Sequence, residues 1–311
     1  MTAFEPIAMD FAGAGDGRER ALALLLLSMA DDEFVIGFSD SEWTGIGPIL
    51  EEDVAISSIA QDELGHAQAL YTLLADVVAD GRDADAIAYD RPPEGYLHAR
   101  LLDHPRGDWA TTIVRRYLYD TADAARLEAL ADSTYRPLAE LVAKIRREER
   151  YHLMHVETWL ERLARAPGEP RDRLLAALRL VGHDAGTVLS PLPGEPALVR
   201  HGIVAEPFGA IEGRWRSGVA RTFSRLDLPP LPATRNPGRA RTDHSDAFRA
   251  LHAELTMVRR SEVAATFKRL GLPDLPATHD PDRARSDHSP AFRALHAEFT
   301  MVRRSEVGAT W

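Results

Sequence analysis

Hydrophobic and polar positions along the first two-thirds of the chain read as helix, and no strand-like alternation persists. Asp16 is a plausible N-cap with Glu19 three residues on. The helix it opens runs through Leu24, Met29 and Ile36 to about Trp43, where "TGIGP" breaks it. A second helix is predicted from about Ile49 to Ala79, carrying Val54, Ile56, Ile59, Leu70 and Leu74. A loop with Pro92 and Pro93 follows. A third helix spans roughly Trp109 to Ala131. A fourth begins near Pro137, a residue suited to the first helical turn, and runs to about Arg165, where "APGEP" ends it. A fifth is predicted from about Arg171 to Leu189. Four long helices joined pairwise by short turns, with one longer middle connection, predict an all-α antiparallel four-helix bundle with a crossover and additional helices.

The C-terminal third has another pattern. The 44 residues from Val219 recur from Val263, and 34 of those 44 positions are identical. Each unit is a Pro-rich extended stretch followed by a short helix, "AFRALHAE". Two copies are too few for a solenoid, so this is a duplicated tail. The predicted organisation is a bundle over 1–195, an extension with the first tail unit over 196–262, and the second unit over 263–311. His252 and His296 each stand two residues before a glutamate, which puts the two side chains on different helical faces. No metal role is assigned to them.

Composition narrows the function classes. The net charge is -11, and Lys144 and Lys268 are the only lysines. No dense basic patch interleaved with aromatics is present, which argues against nucleic acid as a partner. The chain has no cysteine, and so no disulfide, thiolate metal site or cysteine nucleophile. The longest apolar run, "ALALLLLSMA" from Ala21, is too short to span a bilayer. A soluble cytoplasmic protein is expected, with no membrane partner.

"QDELGHAQALY" places Glu63 and His66 three residues apart in an apolar helix, and residues so spaced share a face. One such pair is ambiguous between a satisfied core Glu–His contact and half of a metal site. The pattern recurs in "RREERYHLMH", at Glu149 and His152. A carboxylate-bridged dimetal site needs one further acid from each of the other two helices. Glu33 qualifies, with Leu26, Met29, Ala30, Ile36 and Gly37 as helical neighbours. So does Asp120, on a face with Ile113, Tyr117, Ala124 and Leu127. Burying such acids unpaired would be costly. Glu33 precedes Glu63 by 30 residues and Asp120 precedes Glu149 by 29, so the two halves look alike. Oxygen-rich ligation with an imidazole for each metal suits iron or manganese. Metal-bound histidines usually donate their other N–H to a carboxylate. In an antiparallel arrangement Asp62 would orient His152 and Glu148 would orient His66; the alternative reading makes both acids solvated surface charges.

Three stretches carry a family resemblance: "SDSEWTGIGPILEEDVAISSIAQDELGHAQALY", "YRPLAELVAKIRREERYHLMHVETWLERLAR" and the ending "HAEFTMVRRSEVGATW". Together they resemble the PaaC-type subunit of the multicomponent phenylacetyl-CoA oxygenase (1,2-phenylacetyl-CoA epoxidase). The resemblance implies a ferritin-like fold. It implies a complex that inserts one oxygen atom into the aromatic ring of phenylacetyl-CoA, with electrons from a separate reductase. In that complex the PaaA-type subunit is the catalytic di-iron protein, and the PaaC-type subunit is its structural partner. This chain departs from a metal-free partner by keeping Glu33, Glu63, His66, Asp120, Glu149 and His152, so a di-iron or manganese site is expected. It also has Ile59 where the catalytic subunit typically has a lysine. The expectation is a partner subunit that is not active alone. Competing readings are a stand-alone ferritin-like protein handling iron or peroxide, and a purely structural partner with vestigial acids.

Overall fold

The chain divides into two units, Met1–Arg259 and Arg260–Trp311. The computed structural model describes residues 17–256. Asp16 and the second tail unit, with His296, lie outside the described residues, and with them the readings made for those positions.

Nine α-helices and no strands are found among the described residues: α1 (Gly17–Ser41), α2 (Leu50–Val78), α3 (Ala84–Tyr89), α4 (Trp109–Leu130), α5 (Arg136–Arg165), α6 (Glu169–Val181), α7 (Glu195–Arg200), α8 (Phe208–Arg225) and α9 (Asp246–Leu255). The fold is all-α and ferritin-like. Helices α1 and α2 pack side by side, as do α4 and α5, and α2 also meets α5. The middle connection from α2 to α4 carries α3 and two short 3₁₀ turns.

The periodicity of the bundle helices explains what they bury. On α2 the buried stripe runs Ile56, Ile59, Glu63, His66, Leu70, Leu74. On α5 it runs Leu138, Val142, Ile145, Glu149, His152, Val156, Leu160, Leu163. Steps of three and four residues keep a stripe on one face of a 3.6-residue helix. Glutamate and histidine therefore occupy positions that the pattern otherwise gives to Leu, Ile and Val. Helix α1 is buried nearly all round from Ala21 to Ile36. Gly37 lets it approach α2 closely, because a Cβ there would lie 3.0 Å from Leu64 Cγ and 3.1 Å from Glu63 Cβ.

Three consecutive acids on α1, Asp31, Asp32 and Glu33, are all buried. Neighbours on a helix point about 100° apart, so each finds its own partners. Asp31 accepts from Arg91, from Tyr71 Oη at 2.6 Å and from the Leu97 amide at 2.6 Å. Asp32 accepts from Arg126 Nη1 at 2.6 Å, Arg241 Nη1 at 2.9 Å and the Ala99 amide at 2.7 Å. Glu33 faces the bundle centre.

The fifth helix is shorter than the sequence suggests. It ends at Val181 and continues as a 3₁₀ segment, Gly182–Leu189. The Pro-rich stretch of the first tail unit lies on it: a Cβ at Gly182 would sit 3.3 Å from Pro232 Cδ, and one at Gly186 only 2.2 Å from Thr234 Oγ1. Val219, where the repeated unit begins in sequence, lies inside α8 and is buried. The unit's opening residues complete an amphipathic helix before the Pro-rich stretch begins.

Beyond that stretch the tail docks as an arm. Arg241 reaches Asp32, the Leu97 carbonyl and the Val188 carbonyl. Ser245 caps α9 by accepting from the Phe248 amide, while its own amide donates to Asp103 at 2.6 Å. Phe248 packs against Tyr96 and His98. His252 donates to the Arg91 carbonyl at 2.9 Å, a structural bond.

The arm has a pH dependence. Burial and the neighbouring charge of His244 hold His98 below its usual value of 6.5. Burial raises the Asp103 carboxyl, but hydrogen bonds from His244 and His98 outweigh it and hold the group below 3.8. In each case the unfolded chain takes up a proton before the folded one does. The arm's own contribution is therefore full above about pH 6.5 and falls as the pH drops, first through His98 and then, below about pH 4, through Asp103. A nuclear magnetic resonance titration of the folded chain should find His98 below 6.5, and a value above it would reverse the assignment.

Candidate metal centre

The buried acids and imidazoles converge where α1, α2, α4 and α5 face one another. Glu33, Glu63, His66, Asp120, Glu149 and His152 are all buried. Four of them, Glu33, Glu63, His66 and Glu149, each offer a donor atom within 4.8 Å of the others. His66 Nδ1 lies 3.5 Å from Glu33 Oε2, 3.9 Å from Glu63 Oε2 and 3.6 Å from Glu149 Oε1. His152 stands beside this group, its Nδ1 3.0 Å from Glu149 Oε1 and 3.4 Å from Glu63 Oε1. Asp120 is not one of the four; its Oδ1 is 2.9 Å from Arg116 Nη2.

The outer acids also have partners. Glu148 Oε2 is 2.8 Å from His66 Nε2, and Asp62 Oδ2 is 3.4 Å from His152 Nε2. With its Nε2 proton donated to Glu148, a neutral His66 presents the Nδ1 lone pair to the cluster.

Electrostatics make the cluster a sink for positive charge. Burial, followed by the charge of Glu63, pushes the Glu33 carboxyl well up. Burial also pushes Asp120 well up despite the help of Arg116, and the charges of Glu149 and Glu63 add to the rise. Burial opposes ionisation of Glu63, but the charge of Arg116 outweighs it, helped by the nearness of Glu33 and His152, and holds the group well down. Burial lowers the two imidazoles, yet the acids overcome it. Glu33 and Glu63 push His66 up to about 12, and Glu149 and Glu63 push His152 up to about 11.

The donor set fits a cation. Glu33 Oε2, Glu63 Oε2, both Glu149 oxygens, His66 Nδ1 and His152 Nδ1 are buried and close no hydrogen bond, although they lie at ion-pair distances from one another. Unpaired buried polar atoms are costly, and atoms aimed at one point are reconciled by an ion there. Metal–donor bonds of about 2.0–2.2 Å place donors about 3–4 Å apart, and His66 Nδ1 stands 3.5–3.9 Å from the three carboxylates.

Sequence reasoning missed several groups around the cluster. Arg116 is fully buried, and its Nη1 donates to Glu63 Oε1 at 2.5 Å and to Asp40 Oδ2 at 3.3 Å. Tyr119 Oη donates to Glu33 Oε1 at 3.0 Å. Arg126 pairs with Asp123 and Asp32. The signal was available: "RRYLYDTADAAR" puts charges at Arg116, Asp120 and Asp123 along one apolar helix, at the four- and three-residue spacings that share a face.

Carboxylates and two Glu-x-x-His pairs brought together between four bundle helices define a ferritin-like carboxylate bundle protein. The chain belongs to the family described as phenylacetic acid catabolic protein, whose profile matches residues 9–267. Two components of the 1,2-phenylacetyl-CoA epoxidase of Escherichia coli K12 are similar to it. Identity to the C component is 27% over 241 residues, covering 77% of this chain and 96% of that protein. Identity to the A component is 26% over 138 residues, covering 44% of this chain and 43% of that protein. Among the described residues no helix is long and apolar enough to cross a membrane.

Proposed function

We propose that this chain serves as the C-type component of a 1,2-phenylacetyl-CoA epoxidase complex in cytoplasmic phenylacetate catabolism. It pairs with an A-type component that carries the main oxygenation centre and receives electrons from a reductase. The observation that carries this reading is coverage: the similarity spans 96% of the E. coli C component but 43% of the A component. The surface supports a protein partner. Leu50 and Val54, one turn apart on α2, and Tyr151 and Met154, three residues apart on α5, are exposed. A hydrogen bond from His155 to Glu52 at 2.7 Å joins the two helices at that level. Exposed apolar patches mark protein contacts.

The cluster supports a metal ion in this chain. Glu33, Glu63, His66 and Glu149 would hold it, with His152 alongside and Glu148 fixing the His66 ring. Iron or manganese suits that oxygen-rich set and would supply redox chemistry toward oxygen. A cleft of about 1030 Å³ between α4, α5 and α8 reaches Glu149 past Tyr117, Leu153 and Trp215. With no cysteine to hold an iron–sulfur cluster, the chain depends on partners for reducing equivalents.

Purification of the natural complex tests the assignment. This chain should copurify in fixed ratio with an A-type chain. The isolated chain, given a chemical reductant, oxygen and phenylacetyl-CoA, should form little or no ring epoxide. Robust turnover by the chain alone would overturn the partner role. The intact donor cluster favours one other reading, a stand-alone ferritin-like protein handling iron or peroxide. Purification without any second ferritin-like chain would favour it.

A further inference from the structure

We infer that this chain holds a single metal ion, and that the guanidinium of Arg116 takes the place of the second. The inference rests on the metal reading above and deepens it.

Two equivalent Glu-x-x-His halves would ordinarily hold two ions about 3.5–4 Å apart, bridged by shared carboxylates. The halves here are not equivalent. On the His66 side, Glu33 Oε2, Glu63 Oε2, Glu149 Oε1 and His66 Nδ1 face one another with no hydrogen bonds closed. On the other side Asp120's oxygens and Arg116 Nη2 close no hydrogen bond either, but there the acids lie at ion-pair distance from a cation. Arg116 Nη1 lies 2.5 Å from Glu63 Oε1, and Nη2 lies 2.9 Å from Asp120 Oδ1. The guanidinium thus joins the bridging glutamate to the acid on α4 that a second ion would need. An ion about 2.0–2.2 Å from those same oxygens would sit against the guanidinium nitrogens and meet a like charge.

Arg116 is held in place from several sides. Its Nη1 reaches Asp40 Oδ2 at 3.3 Å, and Asp40 is fixed by Arg115 Nη2 at 2.9 Å. All of these side chains are fully buried. Arginine keeps its charge at any ordinary pH and offers a planar fork that fits two carboxylates at once. Its position follows from sequence: Arg116 stands four residues before Asp120 on α4, so the two share a face. The result is a lopsided centre, with one half of four open donors and one half neutralised from within. His152 flanks the open half through Glu149 and Glu63.

The test uses the full chain reconstituted with Mn(II) and freed of excess metal. Wild type should hold a single ion by elemental analysis and give the six-line electron paramagnetic resonance signal of an isolated Mn(II). Arg116→Met should admit a second ion and replace that signal by the broad spectrum of a spin-coupled pair. Arg116→Lys, which keeps the charge, should remain at a single ion. Two coupled ions in wild type would overturn the inference while leaving the metal reading intact. A single ion in a folded Arg116→Met would overturn it as well. No ion in either folded protein would overturn the metal reading itself. Where Arg116→Met fails to fold, the wild-type count and spectrum still decide.

Discussion

Replacement of Asp32 by alanine is expected to destabilise the chain by about 3–5 kcal/mol, a large share of the roughly 5–15 kcal/mol that keeps a domain folded. Asp32 is fully buried between Arg126 and Arg241, and it also accepts from the Ala99 amide. Burial alone would raise its carboxyl, but the two guanidinium groups outweigh that and hold it below its ordinary value. Deleting it leaves Arg241 without an anion and Arg126 with Asp123 alone, two buried cations brought close with the charge between them removed. Loss of one partner from a buried ion group is far more damaging than loss of the whole group, because the charge left behind keeps its desolvation cost. Urea unfolding gives the measure. Alanine at Glu140, which pairs with Arg136 in full solvent exposure, should leave the midpoint where it is. If Asp32→Ala unfolds at the wild-type midpoint, water or a rearranged carboxylate replaces Asp32, and the three-way ion group is not what ties α1 to α4 and the arm.

The second large effect concerns the centre. His66→Ala combined with His152→Ala is expected to abolish bound metal while far-ultraviolet circular dichroism still reports a helical protein. His66 supplies the imidazole of the four-donor group, and His152 Nδ1 stands 3.0 Å from Glu149. The remaining acids can take up protons, as burial already favours for Glu33, so the helices lose a ligand set without gaining unpaired charge. Unchanged metal content in the double variant would place the ion elsewhere. A gentler probe is Glu148→Gln, which leaves His66 in place but weakens the acceptor on its Nε2; supporting groups of this kind are worth about 10–100-fold in metal affinity.

The bundle was readable because its signals are local. The long helices end or begin within a few residues of the proline and glycine breaks, and the stripes on α2 and α5 are regular enough to show that Glu63, His66, Glu149 and His152 face inward. What was not readable depends on pairing across the fold. Asp120 was assigned by its apolar neighbours, and its packing against Arg116 needed only a look one turn back. The shortening of α6 was different in kind. Nothing between Arg171 and Leu189 breaks a helix strongly; the tail's Pro232 and Thr234 settle onto Gly182 and Gly186. Likewise, no local pattern links Arg241 to Asp32, because the two meet only after the arm has crossed the bundle.

That last pairing sets an order of events during synthesis. Asp32 and Arg241 are 209 residues apart. A ribosome adding about 5–20 residues per second delivers Arg241 some 10–40 s after Asp32 has emerged. For that interval α1, apolar on nearly every side, carries an acid whose second cation has not yet been made. The bundle can collapse early around α1, α2, α4 and α5, but it closes on a complete ion group only when the arm arrives. The chain's first helix is therefore among the last to be finished, and a nascent chain stopped short of the arm should be a better client for chaperones and proteases than its bundle sequence alone would suggest.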